Sequence, residues 1–333
     1  MKGSHTVVLE RAKVKYTLTF KRNISFIRGK SGTGKTSLIS MIRDYNDRGI
    51  ESGVKLTSDV PCETLGGRRW ERELSLIDNS IVFLDEGNEF IYSKDFARAI
   101  RESSNYYVLI SRRDAGELPY SVDEILELTN TTSKLINGRK GDRRFYTVTR
   151  PVYSKGLSNM YEDLNVGFTN PDAVVVEDSK SGYQFYRAVC TKLKIPCYTA
   201  HGVGNFKRTL HDCTERNILA IADGAAFGPY FDKALSQRAY KNIRFFLPES
   251  FEWVLLESGL IPDKDIPTIL DNPAEYIESK DYFSWERFFT DLLSRKSAGT
   301  RYEYRKTKLN EQYLKPAAVE AINKNLPDCL NSI

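Results

Sequence analysis

The stretch "NISFIRGKSGTGKTSLISMIRDY", residues 23–45, decides how the first half of the chain is read. Apolar Ile24, Phe26 and Ile27 lead into a glycine-rich turn, and Leu38, Ile39, Met41 and Ile42 follow at helical spacing. Gly29, four residues, Gly34, Lys35 and Thr36 give the spacing of a loop that wraps an anionic polyphosphate between a strand and a helix. Glycines let the chain turn with its N–H groups pointing inward, and the helix adds its own free N–H groups and the positive end of its dipole. Gly29, Lys30, Ser31, Gly32, Thr33, Gly34, Lys35, Thr36 and Ser37 are therefore the expected cradle. The Lys35 ammonium is expected on the β- and γ-phosphates and the Thr36 hydroxyl on Mg²⁺.

Such a P-loop needs a carboxylate partner. "SIVFLDEGNEF" supplies one: the apolar run Ile81–Leu84 reads as a buried parallel strand ending in Asp85 and Glu86. Asp85 is expected to hold Mg²⁺ through water, and Glu86 to orient or deprotonate the attacking water. Together with Lys35 these residues predict Mg²⁺-dependent hydrolysis of ATP, with GTP as the other candidate. A further strand, "NYYVLISRR", ends in Ser111, Arg112 and Arg113, where a polar side chain can sense the γ-phosphate.

The chain has 333 residues, 41 % of them hydrophobic and 12 % aromatic, enough for about two domains with real cores. A net charge of +5 permits nucleic-acid contact without demanding it. No apolar run reaches the ~18 residues of a membrane span, and the first residues show no secretory pattern, so a cytoplasmic protein with reduced cysteines is expected. Cys190, Cys197, His201, His211 and Cys213 lie close in sequence, but their spacing is not that of a structural zinc site. Cys190 and Cys197 read as small core residues.

The expected organisation is a P-loop domain over 1–153, a Ser/Asn/Gly-rich linker over 154–172, and a second α/β domain over 173–333 with a helical, basic C-terminal extension. Two short strand-like runs, "TVVLE" and "VKYTLTF", precede the loop and resemble the antiparallel leading strands of ABC-type ATPase heads; no LSGGQ-like signature precedes Asp85. "LPYSVDEILEL" reads as a turn and a short helix, and "SKLINGRKGDRRFYTVTRPVY" as two strands around the basic loop 137–144. From residue 173 onward, strands at 173–177, 195–200 and 218–222 alternate with helices, which argues a parallel sheet. Its strand ends carry Glu177, Asp178 and Asp223, so Glu177 and Asp223 are candidate ligands for a divalent metal.

These residues resemble a family. "VVVEDSKSGYQFYRAV" is similar to the first strand and helix of a Toprim domain, and "TAHGVGNFKRTL" resembles a segment of OLD-type nucleases, which join an ATPase to a Toprim domain. "ILAIADGAAFG" stands where Toprim carries Asp-x-Asp, and "FLPESFEWVLL", with Glu249 and Glu252, resembles a later acidic segment. The resemblance covers roughly 174–260, with the P-loop half in the matching order. It implies an ATP-gated, Mg²⁺- or Mn²⁺-dependent nuclease-like protein acting on nucleic acid, with Asp178, Glu249 or Glu252 as candidates to complete a second metal site. The chain departs from the pattern at Ala225, which replaces the second acid. The alternative is a nucleotide-dependent switch whose second domain cuts nothing and binds a protein partner or another copy of itself. Segments 137–144 and 294–309 are the candidate nucleic-acid contacts, the latter with basic side chains interleaved with Tyr302 and Tyr304.

Overall fold

His5–Arg11 (β1) and Val14–Phe20 (β2) alternate buried and more exposed side chains and pair antiparallel across a turn at Ala12, whose φ is 47°. Ile24–Arg28 (β3) follows, then Lys55–Thr57 (β4) and Cys62–Thr64 (β5). Ile81–Asp85 (β6) and Tyr106–Ile110 (β7), like β3, are buried along almost their whole length, as strands covered on both faces must be. Ile125–Thr132 (β8) and Phe145–Pro151 (β9) complete the set. The computed structural model describes residues 1–28, 32–132, 145–153 and 170–330. Gly29, Lys30, Ser31, the basic loop 137–144 and most of the expected linker therefore lie outside the described residues.

Among the described residues these nine strands form one mixed sheet in the order β4-β1-β2-β9-β8-β3-β7-β6-β5. From β8 to β5 every neighbouring pair is parallel. At the other side β9 runs antiparallel to β8 and parallel to β2. Of the segment 118–128, expected as a turn and a short helix, residues 125–128 instead open strand β8. Its Leu and Ile pattern is compatible with either state, and pairing to both β3 and β9 decides it. Helix Lys35–Arg48 (α1) follows the glycine-rich loop, with Trp70–Leu74 (α2) and Lys94–Ala99 (α3) further on. Two apolar clusters result. One joins α1 to β1 and β2 through Leu38, Ile42, Val7 and Leu18; the other gathers Phe26, Phe96 and Tyr120, with Phe26 stacked on Tyr120 at 4.9 Å.

The chain divides into two compact units. The first is Met1–Tyr153 together with Pro273–Phe283; the second is Ser154–Asn272 together with Ser284–Ile333. The return of 273–283 to the first unit has no sequence signature. It is held by backbone chemistry: Asn23, 7 % exposed, donates through Nδ2 to the carbonyls of Ser279 (3.1 Å) and Tyr282 (2.7 Å), and the Gly3 N–H donates to Ala274 O (2.7 Å). Phe283 joins the cluster around Phe26.

In the second unit Ala173–Val176 (β10), Cys197–Thr199 (β11), Asn217–Ile221 (β12) and Asn242–Phe246 (β13) form a parallel sheet in the order β11-β10-β12-β13. The last strand went unread in the sequence. Helices Ser181–Leu193 (α4), Val203–Asp212 (α5), Gly228–Leu235 (α6), Phe251–Glu257 (α7), Ile266–Asp271 (α8), Trp285–Ser297 (α9) and Pro316–Asn323 (α10) accompany it. The loop after β12 is pinned to the loop after β13 by Gly224 N–H donating to Pro248 O at 2.6 Å. A Cβ on Gly224 would stand 2.6 Å from Leu247 O and 2.9 Å from Pro248 O, both backbone atoms. Gly224→Ala is expected to lower stability by roughly 1–3 kcal/mol, since the backbone must shift to accept the methyl. Urea unfolding of the full chain measures it, and a midpoint equal to wild type would show that this loop has slack.

Candidate functional site

The carboxyl ends of β3, β7 and β6 share one edge of the first sheet, because the three strands are parallel and adjacent. Gly34 opens α1 at φ +91°, a left-handed conformation that suits glycine. A Cβ there would lie 2.6 Å from the Tyr16 hydroxyl, which donates to Gly34 O at 2.9 Å. Lys35 is 9 % exposed, and its Nζ donates to Thr33 Oγ1 at 3.4 Å. Burial holds its pKa below the ordinary lysine value; Arg112 pushes the same way, and Glu86 and Asp85 oppose.

Gly32, Thr33, Gly34, Lys35, Thr36, Ser37, Asp85, Glu86 and Arg112 line one cavity of about 280 Å³. Asp85 Oδ1 accepts the Glu86 N–H at 2.9 Å, which fixes the turn after β6. The strand-end trio after β7 separates by role. Ser111 is fully buried and shares a 2.7 Å hydrogen bond with Tyr92. Arg113 lies 4.2 Å over the Tyr92 ring and 3.3 Å from Glu89. Of the three, Arg112 faces the cavity, its Nε 3.8 Å from Glu86 Oε1. Two cations, two carboxylates and the three hydroxyls of Thr33, Thr36 and Ser37 thus surround one space. The Thr36 hydroxyl and Asp85 carboxylate are hard oxygen donors of the kind Mg²⁺ takes.

A second polar centre lies at the carboxyl edge of the four-stranded sheet. Glu177 follows β10 and Asp223 lies just past β12, its hydrogen-bonded neighbour. Asp223 Oδ1 accepts the Phe251 N–H at 3.0 Å. Burial raises the Asp223 pKa well above the usual carboxylate range; Glu286, Glu252 and Glu177 add to this, and Lys306 opposes. Glu177 is pushed up to about 7 by burial first, then by Glu286 and Asp178, against Lys306 and the Val203 N–H. Glu252, 2 % exposed, accepts the Tyr304 hydroxyl at 2.6 Å, and that hydroxyl is 2.7 Å from Ser181 Oγ. Lys306 Nζ lies 2.7 Å from Glu286 Oε1 and 3.9 Å from Glu252 Oε1. Burial works against this ammonium, but Glu286 and Glu252 outweigh it and raise its pKa.

The remaining sequence candidates have other roles. Asp178 accepts the N–H groups of Ser179, Lys180 and Gly182 at 2.7–3.1 Å and so fixes the turn into α4. Ala225 is buried at 3 % exposure. Cys190 is in the core, and among the described residues no group of three or more His, Cys, Asp or Glu side chains is arranged around a common metal position. The basic segment 294–309 is largely committed internally: Lys296 pairs with Asp263 (2.6 Å), Arg295 with Asp291 (2.9 Å) and Arg305 with Glu303 (3.0 Å). Tyr302 and Tyr304 are buried, which removes the base-stacking expected of them. Lys306 and Glu286 carried no motif; only the fold brings them to the acids.

Glu177 gives a pH signature. Its pKa in the folded chain, about 7, exceeds the ordinary 4.5, so the folded state holds the extra proton between those values. That stability is full below the lower value and is lost as pH rises through the upper one. The melting temperature of wild type is expected to fall across this window, and Glu177→Gln to flatten the fall. An equal slope in the variant, by circular dichroism, would show that Glu177 titrates alike in both states. No protein-family model, curated protein or solved structure matches the chain.

Proposed function

We propose that the first unit is a P-loop NTPase that binds Mg²⁺–ATP and hydrolyses it, and that the second is a Toprim-like unit serving as a non-cleaving module under nucleotide control. The observation that carries the first part is that Lys35, Thr36, Asp85, Glu86 and Arg112 line one cavity beside the start of α1. The N–H groups and Lys35 hold the β- and γ-phosphates. Thr36 and the water shell held by Asp85 would ligate Mg²⁺, which draws charge from the β- and γ-oxygens. Glu86 accepts a proton from the attacking water as the new O–P bond forms and the bond to the ADP oxygen breaks. Arg112, paired with Glu86, has the reach and charge to turn to the γ-phosphate.

For the second unit, the resemblance to Toprim implies a Mg²⁺ or Mn²⁺ site at Glu177 and Asp223 and cleavage of nucleic acid. The residues present do not fit a divalent ion as they stand, because the Lys306 ammonium is already among the carboxylates and Ala225 offers no ligand. This favours the switch reading. DNA and RNA incubated with the purified chain, ATP and Mg²⁺ or Mn²⁺ are expected to remain intact; cleavage lost in Glu177→Gln would overturn it.

Lys35→Ala is expected to abolish ATP hydrolysis while leaving the circular-dichroism spectrum unchanged, and full activity in that variant would sink the assignment. Glu86→Gln should still bind ATP but turn it over about 10²-fold more slowly, the loss expected on removing a positioned general base. Arg112→Ala should lower kcat by roughly 10²–10³-fold with a smaller change in ATP affinity. GTP run in the same assay tests the choice of base.

A further inference from the structure

We propose that the Lys306 ammonium is the resident cation of the Glu177–Asp223–Glu252–Glu286 cluster and that it excludes divalent ions from it. The inference stands on the second unit alone and does not depend on the NTPase reading.

Carboxylates partly withdrawn from water and facing one another need a compensating cation or tend to take up protons, and here Glu177, Asp223 and Glu286 are half-buried and Glu252 is buried. Here the cation is supplied by the chain, 2.7 Å from Glu286 and 3.9 Å from Glu252. Its position is built in. The Ser181 N–H, at the start of α4, donates to Lys306 O at 3.2 Å, and Gln184 Nε2 donates to Thr307 O at 3.2 Å. Gln184 Oε1 accepts the Leu309 N–H at 2.9 Å, and the Tyr304 hydroxyl bridges Glu252 and Ser181. Segment 304–309 is thus stitched to α4 and α7 on both sides of the lysine. A divalent ion between the same carboxylates would face a fixed positive charge within a few ångströms, in a partly desolvated setting where that repulsion is strong.

Ala225, buried two residues past Asp223, offers no ligand to an ion held there. Glu252, which a metal would recruit, is instead committed to Tyr304.

The test is a Mn²⁺ titration of the full chain without nucleotide, read by calorimetry and by the loss of free Mn²⁺ in electron paramagnetic resonance. The probe is Mn²⁺ itself, and Asp223→Asn serves to assign any uptake to the cluster. Wild type and Asp223→Asn are expected to take up Mn²⁺ alike. Lys306→Met, which keeps the aliphatic stem and removes the charge, should take up one Mn²⁺ more than wild type over the same titration. That gain should vanish in Lys306→Met/Asp223→Asn. Mn²⁺ uptake by wild type that Asp223→Asn removes would overturn the proposal, as would a folded Lys306→Met that gains no ion. Should Lys306→Met fail to fold, the comparison of wild type with Asp223→Asn still decides, and recovery of folding on adding Mn²⁺ would support the ammonium as the cation that the cluster requires.

Discussion

Strand β7 lies between β3 and β6, hydrogen-bonded to both in parallel register, and the first site depends on that placement. Neighbouring strands are about 4.8 Å apart, so the carboxyl ends of β3 and β6 stand roughly 10 Å apart at the sheet edge. Were β6 directly next to β3, Asp85 would crowd Lys35 and pair with it. The intervening strand also delivers Arg112 into the gap, while Tyr92 and Glu89 hold its neighbours Ser111 and Arg113 elsewhere.

The second sheet uses the opposite spacing. β10 and β12 are direct neighbours, so Glu177 and Asp223 emerge one strand apart rather than two. Glu177, Asp223 and Glu286 are half-buried and Glu252 buried, and desolvation together with their mutual repulsion favours protons on Glu177 and Asp223 unless a cation stands nearby. The fold answers with Lys306, carried on a segment tied to α4. One difference in strand spacing, between the parallel part of the mixed sheet and the parallel four-stranded sheet, therefore separates an open, polar cavity from an ion cluster.

The strands that build the first site were legible because each is an apolar run that ends abruptly in polar residues, and because the glycine-lysine-threonine spacing has few other physical uses. The parallel order of β10, β11 and β12 was legible from their alternation with helices. Strand β8 was not, since "ILELTNTT" shows no period that excludes a helix and owes its form to two partners. The return of 273–283 was invisible because it rests on carbonyls satisfied by Asn23, on the Met1 ammonium paired with Glu278 and on Phe283 packed in the cluster around Phe26, none of which has a sequence pattern. The basic character of 294–309 was read correctly as composition, yet composition does not say where the counter-charges lie. Asp263, Asp291 and Glu286 supply them from elsewhere in the same unit.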